Sequence, residues 1–495
     1  MEQLQTELYR SYGKKATLKG QTAVECRFGG EVDTVLAVHA TASLLRIEAD
    51  NGEVRYAGRA HFFIVYEDGD RHVCRAEKGV EFATRIQDET CVPALTPRLK
   101  FITETVTTRR EGASVYATAL FTADVTLFGE QSFCYLTDGP LVVKRENLKL
   151  STAHLCSGDT ELSDEFGTDF VGDILLHTES VGIIDISCAT GVLKVNGEIN
   201  VCILALKGEE PVSLERLIPF SVELPCDEAG VNSTGEAFVS VKSVSIGVNA
   251  DEEQGKSELK VELTLSIDGC VYAEETIDGI TDAFSTENAL SLSYSELSST
   301  ASLPPVRLTE RISGKAALSG TVDFSDVFLA VVSERAEASV TVTPDGKRLE
   351  GIASATLLVK SADKTHRSVE LSLPFSVAVN AESNCDCNVL VCGMSARQRQ
   401  EGEIEVEGTL KITLFPYRTS TVKAVSSAEE GAPVKQSDSA VSVYIPRAGD
   451  GLWELSKSLK KPPEEVLAGN PDLEFPIQEG QRVVIFRKKT LPMGE

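Results

Sequence analysis

The sequence is poor in aromatic residues, with one tryptophan and 6% Phe, Tyr and Trp together among 495 residues. It has no uninterrupted apolar run near the ~18 residues that a membrane-spanning helix needs, so we expect no such helix. The first 20 residues also lack the apolar core of a signal peptide, which predicts a cytoplasmic protein. An apolar fraction of 42% is nevertheless enough for packed cores, and the length allows about three or four domains.

Positive charge is also scarce, because 48 Lys and Arg residues stand against 75 Asp and Glu residues, a net charge of −27. Residues 441–495 hold eight residues of each sign, so the excess negative charge lies entirely before them. An acidic body disfavours binding to nucleic acid or to an anionic lipid surface. We therefore predict no nucleic-acid partner.

Motifs of known catalytic chemistry are missing. We find no nucleophile elbow, no HExxH, no P-loop and no GxGxxG. Ser-x-x-Lys occurs at several positions, Ser257 and Ser361 among them, without the companion motifs of an acyl enzyme. We predict a protein that is not an enzyme.

Cysteine and histidine do not form a recognisable metal site either. The twelve cysteines are scattered, several within strand-like runs, and are predicted to be reduced and buried. Cys385, Cys387 and Cys392 cluster, but their spacing matches no common zinc motif, and the six histidines have no ligand-like spacing. No metal or cofactor is predicted.

What the sequence does contain is alternation of apolar and polar residues. Residues 115–129 (VYATALFTADVTLFG) and 257–269 (SELKVELTLSIDG) alternate almost strictly, as half-buried antiparallel strands do. Long helical patterns are absent from the first 418 residues. The pattern predicts a mostly β fold.

The chain also repeats itself. Three runs, beginning near residues 35, 174 and 327, each carry a pair of glycines followed by a phenylalanine: Gly52, Gly58 and Phe82; Gly191, Gly197 and Phe220; Gly346, Gly351 and Phe375. The second glycine and the phenylalanine are 24, 23 and 24 residues apart. We expect the first glycine to form a hairpin turn and the second to lie where another backbone passes closely.

These repeats resemble the SPOCS domain of spore-coat assembly proteins. The best matches are LIPFSV (217–222), LPFSV (373–377) and Asp282-Ala283-Phe284-Ser285, while the first repeat is the most divergent. The resemblance implies three tandem antiparallel β-sandwich-like domains, at residues 1–148, 149–297 and 298–418. Residues 419–440 are rich in Ser and Ala and are predicted to be a flexible linker.

A different pattern begins at residue 441. Val441 to Ile445 suits a strand, Leu452, Leu455 and Leu459 recur at helical spacing, a second short helix is expected over 464–468, and residues 482–486 suit a returning strand. We expect Asp450 or Gly451 to cap the first helix and Trp453 to lie in the core.

This strand–helix–helix–strand order over residues 441–490 resembles the LysM domain, and the residues match its motif at Tyr444, Gly449-Asp450, Leu452-Trp453, Asn470-Pro471 and Gly480-Gln481. Gly451 replaces the usual threonine and Glu479 the usual proline. The resemblance implies a binding groove between two loops. The candidate glycan- or partner-binding residues are Gly449, Asp450, Gly451, Leu452, Asn470, Pro471 and Asp472. Purely structural roles remain open for them, Asp450 as a cap and Asn470-Pro471 as a turn.

Tandem SPOCS domains followed by a LysM domain are similar to clostridial spore-coat morphogenetic proteins. The similarity implies a non-catalytic adaptor, made in the mother cell, that localises to the forespore surface and binds the coat basement-layer morphogenetic ATPase through its LysM end. The alternative is an envelope protein whose LysM domain binds peptidoglycan, its precursor or another N-acetylglucosamine-containing glycan. A third hypothesis, a hydrolase with a LysM anchor, lacks any catalytic motif.

Overall fold

The protein is described from a computed structural model, which covers residues 4–30, 32–112, 114–170, 172–251, 256–317, 328–343, 346–360, 364–380, 384–399, 403–434 and 439–486. These residues are mostly in strands, as the alternation of the sequence predicts. No helix among them is long and apolar enough to cross a bilayer.

The strands fall into three successive β regions and a C-terminal module. The first β region contains β1 (Gln5–Gly29), β2 (Thr34–Asp50), β3 (Glu53–Glu67), β4 (Val73–Gln87), β5 (Thr96–Glu111) and β6 (Ser114–Asp138). The second contains β7 (Val142–Thr168), β8 (Ile174–Ala189), β9 (Val192–Lys207), β10 (Glu210–Pro225), β11 (Thr234–Asp251) and β12 (Lys256–Phe284). The third contains β13 (Asn288–Ser302), β14 (Val306–Ala317), β15 (Phe328–Thr343), β16 (Gly346–Lys360), β17 (His366–Val379), β18 (Asn384–Gln398) and β19 (Glu403–Pro433). The module contains β20 (Val441–Tyr444), α1 (Leu452–Leu459), α2 (Pro463–Gly469) and β21 (Val483–Phe486).

The same pairing pattern occurs in each β region. In the first, one sheet has the order β1-β6-β5 and the other is the meander β2-β3-β4; the second region has β7-β12-β11 and β8-β9-β10. In the third, β19 pairs with β13, β14 and β18, and the meander is β15-β16-β17. Here the first strand is split in two because Pro304 and Pro305, which have no backbone N–H to donate to a ladder, fall in its middle.

Each region packs its two sheets face to face. In the second region, alternate residues of β9 (Val195, Ile199 and Val201) pack in one core with alternate residues of β12 (Val261 and Leu263). These side chains are almost completely buried, and each stabilises the fold by about 1.5–3 kcal/mol relative to exposure. The alternation of apolar and polar residues along these strands therefore places every second side chain in the core between the two sheets.

The repeated glycines have the positions that their spacing predicts. Each second glycine lies directly opposite the phenylalanine of its repeat on the neighbouring strand, as in Gly58↔Phe82, Gly197↔Phe220 and Gly351↔Phe375. The phenylalanine ring covers the glycine in all three pairs, so a Cβ there would stand 2.4–2.7 Å from the ring. Gly52 and Gly191 lie in hairpin turns, with positive φ angles of 77° and 76°, and Gly346, with a φ of 127°, is the first residue of β16.

The third region extends further than the sequence predicts. The linker expected over residues 419–440 is instead strand up to Pro433, where β19 pairs with β13. Ala424 and Val425 in this segment are fully buried. The prediction is wrong here because small residues, which favour a linker by composition, pack well where the long strands of the three β regions meet. The expected domain ends at 148, 297 and 418 likewise fall inside β7, β13 and β19.

The three regions share hydrophobic contacts. At one junction, Leu36, Leu176 and Val332 pack together, one from the meander of each region. At another, three long strands meet through Leu136 of β6, Ile280 of β12 and Val425 of β19.

Candidate functional site: the C-terminal module and its contact with the second β region

The C-terminal module has the order strand, helix, helix, strand that the sequence predicts. β20 and β21 pair antiparallel, with Val441 opposite Phe486 and Tyr444 opposite Val483. Its core is formed by Leu455, Val466, Ile477 and Val483, with further packing from residues between Tyr444 and Phe475. All of these residues belong to the module, so it has a core separate from those of the β regions.

The first predicted binding loop is held by backbone hydrogen bonds. Gly449 has a φ of 91°, a conformation that favours glycine, and its N–H donates to the carbonyl of Ile477 at 2.8 Å. The N–H of Ile477 in turn donates to the carbonyl of Asp450 at 2.9 Å. The carboxylate of Asp450 accepts the N–H of Arg447 at 3.3 Å, so Asp450 closes the loop and does not cap α1.

The N-cap of α1 is Gly451, one of the two residues predicted for that role. Because glycine has no side chain, Gly451 cannot make the capping hydrogen bond that a threonine hydroxyl would make at this position. Instead, the Glu454 carboxylate reaches back and accepts the N–H of Gly451 at 3.1 Å. Leu452, which follows, packs against the module core.

In the second predicted binding loop, the Asn470 side chain is used within the module. Its Oδ1 accepts the N–H of Val484 at 2.7 Å, and its Nδ2 donates to the carbonyls of Val484 at 2.9 Å and Val466 at 3.0 Å. The amide thus pairs with β21 as a neighbouring strand would, and ties it to the end of α2. Pro471 and Asp472 are exposed.

The structure does not bring all seven predicted residues to one groove. A groove does lie along α2 and β21, and Lys461, Glu465, Val466, Asn470 and Val484 are among its lining residues. It contains Asn470 but none of Gly449, Asp450, Gly451 and Leu452. A ligand in this groove would meet the rim ion pair between Lys461 and Glu465, whose charged atoms are 2.9 Å apart.

A contact that the sequence did not predict joins the module to the second β region. The Nζ of Lys457 lies 2.6 and 2.7 Å from the two carboxylate oxygens of Asp282, and the indole Nε1 of Trp453 donates to the same carboxylate at 2.8 Å. The rings of Trp453 and Phe284 lie 5.4 Å apart, and the ammonium of Lys460 lies 5.7 Å from the Phe284 ring centroid. We call Trp453, Lys457 and Lys460 the α1 face, and Asp282 to Phe284 the docking segment.

The prediction that Trp453 lies in the module core is therefore wrong. Trp453 is only partly buried, and it packs on the docking segment of β12. Trp453 and Lys457 are four residues apart on α1, so they share one side of the helix, next to the side that faces the module core, and Lys460 is the C-cap that follows the helix. That spacing was available in the sequence, and so was the Asp-Ala-Phe-Ser motif, but nothing in the sequence connected them.

Charge favours this contact. Burial alone would raise the pKa of Asp282, but the hydrogen bonds from Lys457 and Trp453 outweigh it and lower the pKa below its usual value. The carboxylate is therefore ionised at neutral pH. A hydrogen bond to a charged group typically stabilises a folded protein by about 1.5–3 kcal/mol. This contact is partly exposed to solvent, which screens the charges, so its contribution is smaller.

Buried titratable groups also occur between the second and third β regions. The Asn200 Nδ2 donates to Glu334 Oε1 and, at 3.0 Å, to the carbonyl of Val391. Burial raises the pKa of Glu334 to about 8, with a contribution from the charge of Glu215. No group of three or more His, Cys, Asp or Glu side chains in the described part of the chain is arranged to hold a metal ion.

Comparison with models of known protein families gives no match, and comparison with curated protein sequences gives none either.

Proposed function

We propose that the chain is a non-catalytic adaptor of spore-coat assembly, in which tandem SPOCS-type β domains form the scaffold and a LysM-type C-terminal module binds the partner. By resemblance, the partner is the basement-layer morphogenetic ATPase and the location is the forespore surface in the mother cell. Support comes from the threefold strand pattern, from the glycine–phenylalanine pairs of the repeats, and from the strand–helix–helix–strand module.

The observation that carries the proposal is the separate core of the module. Because the described members of the hydrophobic core around Leu455, Val466 and Ile477 all belong to the module, the module is a discrete unit attached to a large β body. Its α1 face contacts the body, whereas Gly449, Pro471 and Asp472 in its loops are exposed and available to a partner. A terminal unit of this kind brings a binding surface close to whatever the body holds.

Deletion of residues 441–495 tests the proposal. We expect the truncated chain to keep its β circular dichroism, to lose binding to the purified basement-layer ATPase, and to lose its forespore localisation by fluorescence microscopy. Normal binding and localisation of the truncated chain would overturn the adaptor proposal.

Glycan binding is the second candidate, and it is favoured by the exposed loop residues Pro471 and Asp472 beside the groove of α2 and β21. Co-sedimentation with purified peptidoglycan tests it, comparing the wild type with Asp472→Ala and with Glu228→Ala, an exposed acidic residue of the second β region. Loss of sedimentation in Asp472→Ala alone would support glycan binding. Absence of sedimentation in all three proteins would contradict it.

A further inference from the structure

The contact between module and body joins two surfaces that each exist without the other. The module core lies between Tyr444 and Val483, and its described hydrophobic members all belong to the module. The docking segment is fixed by pairing within the second β region, where Asp282 lies opposite Lys144 and Phe284 opposite Val142. Neither surface therefore has to fold again when the contact opens.

The side-chain contacts between the described residues of module and body are few and chemically specific. Among the described residues they centre on one carboxylate and one aromatic ring, two positions apart at the end of β12. These meet an indole N–H and an ammonium on α1 and a second ammonium at its C-cap, Lys460. The α1 face thus recognises a strand end that presents Asp and Phe with one residue between them. Every copy of the chain presents that strand end once.

The connection between body and module is short. β19 ends at Pro433 and β20 begins at Val441, which leaves seven residues between them. Seven residues span at most about 25 Å when extended, so the contact within one chain has a high effective concentration. The two surfaces differ from each other, so a contact between two chains uses a different surface on each. When two copies exchange their modules reciprocally, both contacts are satisfied and a closed dimer forms.

We propose that the α1 face is a self-assembly surface, which docks on Asp282–Phe284 of its own chain in dilute solution and on the same segment of a second copy when copies are crowded. The acidic body, which holds all the excess negative charge, complements the two lysines of this face. Where an assembly concentrates the chain on a surface, exchange replaces the contact within each chain by the same contact between chains. The inference concerns self-association and does not depend on the identity of the partner proposed above.

A charge-exchange experiment tests this inference with the full chain. We consider two single variants, Asp282→Lys, which keeps the native module, and Lys457→Asp, which keeps the native docking segment. Each alone loses the contact within its own chain. Mixed at equal concentration, they regain it reciprocally, because the native Lys457 of one chain meets the native Asp282 of the other and the two reversed charges also meet.

In analytical ultracentrifugation we expect each single variant to sediment near 53.3 kDa and the mixture to form a species of about twice that mass. A mixture of Lys457→Asp with Asp278→Lys is the matched control, because Asp278 is an exposed residue of the same strand that pairs with Arg145. This control is expected to stay monomeric. Wild-type chains are expected to dimerise as their concentration approaches the millimolar range.

The double variant Asp282→Lys/Lys457→Asp shows whether the reversed pair forms at all, since the tryptophan emission of Trp453 reports on docking. A mixture that stays monomeric, together with docked emission from the double variant, would overturn the proposal. If the double variant does not dock, the test of self-assembly is the sedimenting mass of the wild type measured over a series of concentrations. A mass that remains at one chain up to about 1 mM would then contradict self-assembly.

Discussion

Gly197 of β9 lies directly opposite Phe220 of β10, and a Cβ built on this glycine would stand 2.4 Å from the phenylalanine ring and 2.4 Å from the carbonyl oxygen of Gly182. The ring and the backbone of β8 thus occupy the two sides of the space that a side chain would need. The same relationship holds at Gly351, where the ring of Phe375 and the carbonyl of Glu337 are close. The repeat therefore conserves a packing relationship between three strands, which explains its spacing.

Gly197→Ala should destabilise the second β region. Since the backbone carbonyl of Gly182 cannot move aside as a flexible side chain would, we expect a loss of about 1–3 kcal/mol, typical of overpacking. Urea unfolding followed by circular dichroism measures it as a lower midpoint. Gly167→Ala in β7 is the control, because no atom lies within 4 Å of its Cβ position. Equal midpoints for the two variants would contradict this account of the glycine.

Asn470→Ala should destabilise the C-terminal module. The substitution leaves the N–H and the carbonyl of Val484 without their side-chain partner, and we expect the free energy of unfolding to fall by about 1–3 kcal/mol. Asn470→Asp should also destabilise, because a carboxylate cannot donate to the carbonyls of Val466 and Val484. Amide hydrogen exchange of α2 and β21 measures the effect, with exposed Asp472→Ala as the control. Unchanged protection in both Asn470 variants would show that the amide is not structural.

Glu334 should make stability fall as pH rises. Its pKa in the folded chain is raised to about 8 by burial, above the ordinary value of 4.5, so the stability it contributes is fully present below about 4.5 and is lost as pH rises towards 8. Both Asn200 Oδ1 and Glu334 Oε2 are buried without a hydrogen-bond partner, and a proton on Glu334 gives the carboxyl a donor where an ionised one has none.

Glu334→Gln should therefore remove this pH dependence, because the glutamine amide supplies a donor at every pH. We expect the urea midpoints of wild type and variant to agree near pH 4.5 and the variant to be the more stable at pH 8.5. The difference is on the order of a few kcal/mol, the linkage expected for a shift of this size. A wild-type midpoint that rises between pH 5 and 8 relative to the variant would contradict the prediction.

Much of the fold follows from local pattern, and the failures have a common cause. Alternation along residues 115–129 and the glycine pairs predict strands, hairpins and close approaches correctly, because these depend on neighbours in sequence or on one adjacent strand. The composition of the segment that contains Ala424 predicts a linker, because its small side chains become part of a core only when strands of all three β regions meet around them. The burial of a small residue by distant strands leaves no local signal.

The candidate site shows the same limit. The helix of Leu452, Leu455 and Leu459 was predicted from its spacing, and so was the cap at Gly451. The role of Asn470 depends on Val484, fourteen residues away, and that of Trp453 on Asp282, 171 residues away. Sequence periodicity identifies which side of a helix is apolar, but not which distant carboxylate lies against its other side.

The emission of Trp453, the single tryptophan of the chain, tests most directly the central claim that the module is a separate unit docked through Asp282. We predict that Asp282→Asn shifts the emission to longer wavelength, while Asp278→Asn leaves it unchanged. In the wild type the same shift should appear only in acid, because the contact is present above the ordinary carboxyl pKa of 3.8 and is lost as pH falls through the lowered value. Identical emission from wild type and Asp282→Asn at neutral pH would contradict the account.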